Sequence, residues 1–267
     1  FFFKQKTAYE ISTRDWSSDV CSSDLQVLEV KLSVPMKPFL LLLLGTLSLG
    51  AVNPASNMKL AFSDEFDGDK LDTTKWATQG EPTAVSFFKA GKISGVRITL
   101  IKKEDMIQSN GISSRDKFEQ TKGYFEASIR MPATKGHTGY FSLRCKDDKT
   151  TPFINVLWEG TGEDYLTPWA RYVDDRGQHD LRSDASGTKI LKGGEPSKKF
   201  NTYGILWTEK AFSWFVNGKQ VHKADRTVIE APMHLNLSHR VGEWERPKLN
   251  LKNLPDDIDI DWVKAWK

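Results

Sequence analysis

The sequence predicts an all-β fold of two packed sheets. Short runs in which apolar and polar residues alternate recur along most of the chain, the signature of strands with one buried face. The pair Asn217-Gly218 joins two such runs, and a type I′ hairpin turn needs positive φ at both central positions, which Asn-Gly accommodates. No convincing amphipathic helical window and no internal repeat lies between them. Many short strands divided by polar turns pack as two sheets.

In order, the runs are Val96 to Ile101, Tyr124 to Met131, Tyr140 to Cys145, Phe153 to Trp158, Tyr203 to Trp207, Phe212 to Val216, Lys219 to Val221, Met233 to Leu237 and Ile258 to Trp266. The second is the clearest. Phe125, Ala127, Ile129 and Met131 alternate there with Glu126, Ser128 and Arg130, so the first set is expected to be core.

The segments before these runs are set aside. Asp19-Val20-Cys21-Ser22-Ser23-Asp24-Leu25 reads as translated sequencing adapter, so residues 1–35 are taken as an artefactual or untranslated leader. Residues 36–55 then read as an export signal: Met36 and Lys37, an apolar run from Phe39 to Leu49, and small residues through Ala55. That run is too short to span a bilayer. One domain over residues 56–267 is expected, secreted or periplasmic, monomeric, and off the membrane once the signal is removed. Only Cys145 then remains of the two cysteines, which excludes an intramolecular disulfide. The balance of 38 basic and 35 acidic residues gives a net charge of +3. It argues against nucleic acid as partner, since that needs basic residues clustered on one face.

Several ordered segments carry a resemblance: Phe62-Ser63-Asp64-Glu65-Phe66-Asp67-Gly68, Leu71 to Trp76, Ser113 to Phe118, Gly123 to Pro132, Tyr203 to Thr208, Trp214 to Gly218, and Ile260 to Lys264. Together they resemble glycoside hydrolase family 16, the laminarinase, lichenase, agarase and carrageenase group. The resemblance implies a concanavalin A-like jelly-roll sandwich. Its concave face would form a cleft for β-glycan polysaccharide and perform retaining hydrolysis, with no cofactor required.

Retaining hydrolysis uses two carboxyl groups about 5–5.5 Å apart, one as nucleophile and one as general acid/base. The resembled family carries them on one strand as Glu-x-Asp-x-Glu, or with one further residue as a bulge. This chain reads Phe153-Ile154-Asn155-Val156-Leu157-Trp158-Glu159. In one register the first Glu falls on Phe153, the Asp on Asn155 and the acid on Leu157 or Trp158. In the other, Asn155 takes the former nucleophile position and Glu159 remains as acid/base. Both registers lose the nucleophile, and an amide does not form the ordinary glycosyl ester. Glu163 and Asp164 lie just beyond, in a loop.

Aromatic faces bind sugar rings by stacking. Hydrolytic relatives carry a Trp-Pro-x-Phe-Trp segment where this chain has Thr138-Gly139-Tyr140-Phe141-Ser142. Tyr140, Trp158, Trp169 and Trp244 are candidates to line the cleft instead, and His179 is expected to face it. The resemblance further implies a structural Ca²⁺ held by Asp261 with backbone carbonyls of Phe66 and Gly95, a hard oxygen set suited to that ion. The alternative for Asp261 is one of three outward acids, with Asp257 and Asp259, on an edge strand. The five histidines show no His-Glu-x-x-His spacing, and no Gly-x-Ser-x-Gly elbow is present.

Overall fold

The alternation read from Phe125 to Met131 is realised in space: Phe125, Ala127, Ile129 and Met131 are 0–2% exposed. A computed structural model describes residues 53–104, 106–132, 134, 136–146, 152–160, 169–174, 177–182, 195–225, 229–242 and 246–267. For 157–160, 169–174, 177–182 and 248 it describes the backbone alone. These residues belong to one unit, Ser48–Lys267. The leader and export signal expected before residue 53 lie outside the described residues, as do Glu163 and Asp164.

The chain begins with β1 (Leu60–Asp64), β2 (Ala77–Gln79), β3 (Val85–Ala90), β4 (Ile93–Lys103), β5 (Met106–Gln108), β6 (Asn110–Ser113) and β7 (Glu119–Gln120). It continues through β8 (Gly123–Arg130), β9 (Thr138–Arg144), β10 (Phe153–Gly160), β11 (Trp169–Asp174) and β12 (Gly177–Arg182). The last five are β13 (Asn201–Trp207), β14 (Phe212–Val216), β15 (Lys219–Ala224), β16 (Met233–Arg240) and β17 (Asp256–Trp266). Among the described residues the only helices are short 3₁₀ turns, and none is long and apolar enough to cross a membrane.

Two antiparallel sheets result. The first runs β15-β14-β13-β8-β17-β4-β3, with β1 against β17 and β5 against β4; the second runs β12-β11-β10-β9-β16-β6-β2, with β7 against β16. This is the all-β jelly-roll sandwich expected. Sequence neighbours β8 and β9 fall in different sheets, so the chain crosses between layers rather than meandering within one.

The core is built from the facing rows. Val96, Ile98, Phe125, Ile129, Ile258 and Ile260 come from the first sheet, and Ile112, Phe141, Leu143, Ile154, Val156, Leu235 and Leu237 from the second. Burying one such side chain contributes about 1.5–3 kcal/mol. The hairpin at Asn217-Gly218 has both residues at positive φ, 49° and 73°, as the Asn-Gly pair predicts. It places Trp214 across the sandwich from β10, where its Nε1–H donates to the Asn155 carbonyl at 2.8 Å. The first sheet thereby anchors the strand on which the expected catalytic segment lies.

Candidate functional site

β10 carries a register shift against β9. Asn155 stands opposite Ser142, but Leu157 stands opposite Phe141, so Val156 is an extra residue. A bulge interrupts the ladder locally, and the Trp214 indole takes the Asn155 carbonyl at that point. Beyond the bulge Trp158 pairs with Tyr140 and Glu159 with Gly139.

Opposed residues in an antiparallel pair share a face, so the pairings define rows across the outer face of the second sheet. One row runs Glu119, His234, Arg144, Phe153, Arg171, Asp180. The next runs Ser113, Asn236, Ser142, Asn155, Trp169, Arg182. A third runs Gln79, Gly111, Ser238, Tyr140, Trp158, and Arg240 stands opposite Thr138 beyond it. The outer row of β10 therefore holds positions 153, 155 and 158, the spacing of the bulged carboxylate motif, occupied by Phe, Asn and Trp. Glu159 has its backbone position on the alternate row, with Phe141 and Gly139.

Acids occur on this face only at its flanks, among the described rows. Strands are spaced by about 4.8 Å, so Asp180, two strands from Phe153, sits about 10 Å away at the backbone, and Glu119 is a strand farther off on the other side. Four arginines, Arg144, Arg171, Arg182 and Arg240, occupy outer-row positions. Arg144 lies 5.5 Å from the Phe153 ring centroid, and Arg240 lies 3.5 Å from that of Tyr140. Arg144 and Arg240 line a pocket with Gln79, Ser109, Asn110, Asn236 and Ser238, and among the described residues no carboxylate lines it.

The polar floor is sheltered. Ser142 and Thr138 are fully buried, Asn155 is 3% exposed, and Asn236 and Ser238 are 8% exposed. Asn236 Nδ2 donates to Gln79 Oε1 at 2.6 Å, which fixes both amides. The Ser142 and Thr138 hydroxyls and Arg240 Nε have no hydrogen-bond partner among the described residues. Buried polar atoms left in that state are costly unless water or ligand completes them.

Three of the expected aromatic residues hold outer-row positions, Tyr140 opposite Trp158 and Trp169 one row over. Tyr140 is on the floor, but it is only 5% exposed and its ring carries the Arg240 guanidinium, so it holds that charge rather than offering an open platform. The backbone of Trp169 stands opposite Asn155, and that of His179 opposite Tyr172, on the alternate row from Trp169. Trp244 lies outside the described residues. Sequence reasoning missed Arg144, Arg240, Asn236 and Gln79. The signal is present in Met233–Arg240, whose polar alternates are His234, Asn236, Ser238 and Arg240, but the apolar set of that strand dominates its pattern.

The calcium ligands expected from resemblance converge by register at the other sheet. Asp261 is the extra residue of a bulge in β17 between Ile260 and Trp262. Asp64 stands opposite Val263 and Val96 opposite Ile260, so the chain continuing to Phe66 and the one arriving from Gly95 both reach that bulge. Phe66 has φ 47°, and a Cβ at Gly95 would fall 2.3 Å from the Ile260 carbonyl oxygen, which only glycine permits. Burial pushes the Asp261 carboxyl up despite a hydrogen bond from Ser128, and Glu65 adds to the rise. The nearby Lys264 is bonded to Glu65 at 2.9 Å. The charge of Lys264 only partly offsets that rise, and a partly buried acid beside backbone carbonyls fits a hard cation.

Comparison with known proteins agrees with this architecture. The family profile described as Glycosyl hydrolases family 16 matches residues 72–264. The chain is 25% identical over 244 residues to the beta-porphyranase E of Zobellia galactanivorans, covering 77% of this chain and 86% of that protein. It is 25% identical over 223 residues to a beta-glucanase of Brevibacillus brevis, covering 78% and 82%. The crystal structure of a laminarinase from Flavobacterium sp. UMI-01 superposes with a TM-score of 0.62 at 20% identity, covering 78% of this chain and all of that one.

Proposed function

Because the chain belongs to glycosyl hydrolases family 16, whose members act on β-linked glycans, we propose that it is an exported protein that holds an acid-bearing β-glycan on the outer face of its second sheet, without retaining hydrolysis through β10. The observation that carries this reading is the outer row of β10: positions 153, 155 and 158 hold Phe, Asn and Trp. Retaining cleavage needs two carboxyl groups about 5–5.5 Å apart, and that row supplies none.

The same face supplies what binding needs. Arg144 and Arg240 in the pocket offer forked donors to a sulfate or carboxylate on the sugar. Asn236, Gln79 and Ser238 offer neutral donors and acceptors for hydroxyl groups. Export rests on the segment from Met36 to Ala55. At the first sheet, Asp261 and the carbonyls of Phe66 and Gly95 would hold Ca²⁺, which supplies rigidity at the β17 bulge and takes no part in sugar chemistry.

A second reading keeps catalysis, with Glu159 as acid/base and the nucleophile from elsewhere; family membership favours it. The two separate by experiment. Incubated with laminarin, mixed-linkage glucan, agar and carrageenan, the protein should release no reducing ends, while affinity electrophoresis shows retardation by an acidic glycan. Turnover that disappears in Glu159→Gln would establish the second reading. Turnover unaffected by that change would also sink the first, and would remove Glu159 from the chemistry.

A further inference from the structure

At one end of the sandwich, on the core-side row next to Arg240, three ligand-type side chains meet from three distant segments. His137 precedes β9, His239 lies near the end of β16, and Asp256 opens β17. Both imidazoles are completely buried. His137 Nδ1 and Asp256 Oδ2 are 2.7 Å apart, and the two rings stand 5.9 Å apart between centroids. One donor atom from each residue lies within 4.8 Å of the others.

We propose that His137, His239 and Asp256 form a binding site for a divalent transition-metal ion of the zinc class, with water as fourth ligand.

The first support is the orientation of His239. Its Nδ1–H donates to the Ile98 carbonyl at 3.3 Å. That fixes the tautomer and leaves the Nε2 lone pair directed elsewhere, as outer-shell carbonyls do for metal-binding histidines. Nε2 is buried and has no hydrogen-bond partner among the described residues. An acceptor left so costs about 1–3 kcal/mol, and a cation recovers it.

The second support is the donor set. Two imidazoles and one carboxylate give a mixed nitrogen and oxygen set that suits zinc, unlike the all-oxygen set around Asp261.

The third support is size. Tetrahedral zinc with bonds of about 2.0–2.1 Å places its ligand atoms about 3.3 Å apart. The cluster reaches that by a small opening of the His137 to Asp256 contact and a closing of the 4.8 Å span. His239 sits on the core-side row with Leu235 and Leu237, so occupancy is read as stability rather than as glycan affinity. The proposal stands independently of the glycan reading.

The test uses the full chain stripped with chelator, then supplied with Zn²⁺ or Co²⁺. The expected result is one equivalent of Zn²⁺ retained per chain, a rise in Tm of about 5 °C at saturation, and visible bands of tetrahedral Co²⁺. His239→Gln should lose the bands and weaken Zn²⁺ at least about 100-fold, the upper range for loss of a ligand or its support. Asp261→Asn should keep both. Retention of the bands in His239→Gln overturns the site. Should that variant not fold, the wild-type protein decides: an octahedral Co²⁺ spectrum, or a Tm shift under about 1 °C with saturating Zn²⁺, overturns it equally.

Discussion

On the outer face of the first sheet, charges close on one another; in the pocket on the outer face of the second, Arg240 closes on an aromatic ring instead. Asp259 stands opposite both Arg97 and Arg130 across adjacent strands. It accepts from Arg97 Nε at 2.7 Å and Arg97 Nη2 at 3.0 Å, and also from Arg130 Nη2. The guanidinium groups lie over Phe88 and Phe200, whose rings stack with each other. Arg240 on the second sheet lies over Tyr140 in a pocket where, among the described residues, no carboxylate lines the wall and its Nε has no partner. Arg97 and Arg130 are thus used structurally where register supplies Asp259, whereas Arg240 stands opposite Thr138 beside Ser, Asn and Gln, the arrangement on which the proposed glycan contact rests.

The largest effect is expected from breaking the closed face. Asp259→Asn keeps the shape but removes the counter-charge of two arginines, and Asp259 is only 2% exposed. Removing one partner of a buried pair costs about 3–5 kcal/mol. Both arginine side chains are 34% exposed, so solvent screening brings the expected loss to about 2–3 kcal/mol. Denaturant midpoints at constant m-value measure it, with glycan affinity unchanged. A loss below about 0.5 kcal/mol, the size of an ordinary surface change, would show that the triad does not hold the face.

Arg240→Ala sharpens the contrast in the opposite sense. Losing one charge-assisted contact to an acidic glycan costs about 1.5–3 kcal/mol, or roughly 10-fold to 100-fold in Kd. Stability should change by less than about 1 kcal/mol, since no carboxylate among the described residues pairs with Arg240. The remaining affinity should fall less steeply as salt is raised. Equal affinity of variant and wild type for an acidic glycan would refute the ligand role of this arginine.

The sequence discloses these faces unequally. Alternation locates the long strands, because each has one mainly apolar row: β8, β13 and β17 all show it in the sequence. The short or polar strands β2, β5, β6 and β7 carry too few apolar residues to show a period, and their pairing with β4, β6 and β16 is a tertiary matter. In β10 the sequence alone leaves two registers open. The bulge at Val156 distinguishes them, and it depends on the partner strand β9 and on the indole of Trp214. The arginine face was hidden for another reason: Arg144, Arg171, Arg182 and Arg240 come from four strands, so no stretch of sequence shows them together.

The smallest expected effect tests a third kind of charge, an acid on the closed face that burial leaves poorly supported. Glu126 stands opposite Lys264 and Gly204, and it accepts from the Tyr124 hydroxyl at 2.9 Å. Burial pushes its carboxyl above the ordinary value, a rise that hydrogen bonds from Tyr124 and Thr202 and the charge of Lys264 only partly offset. A carboxyl raised in the folded state binds protons there before it does in the unfolded chain. Its burden on stability is therefore full above the folded pKa, and is relieved as pH falls through that value toward the ordinary carboxylate range. Asp256 and Glu195, both lowered, act in the opposite sense on acidification, so the wild-type curve alone does not isolate Glu126. The difference between Glu126→Gln and wild type does, since the amide still accepts from Tyr124 and never ionises. Tm should be modestly higher in the variant at pH 7, and the gap should shrink as pH is lowered. A gap that stays constant with pH would mean that the substitution acts through packing around Tyr124 and not through the carboxylate.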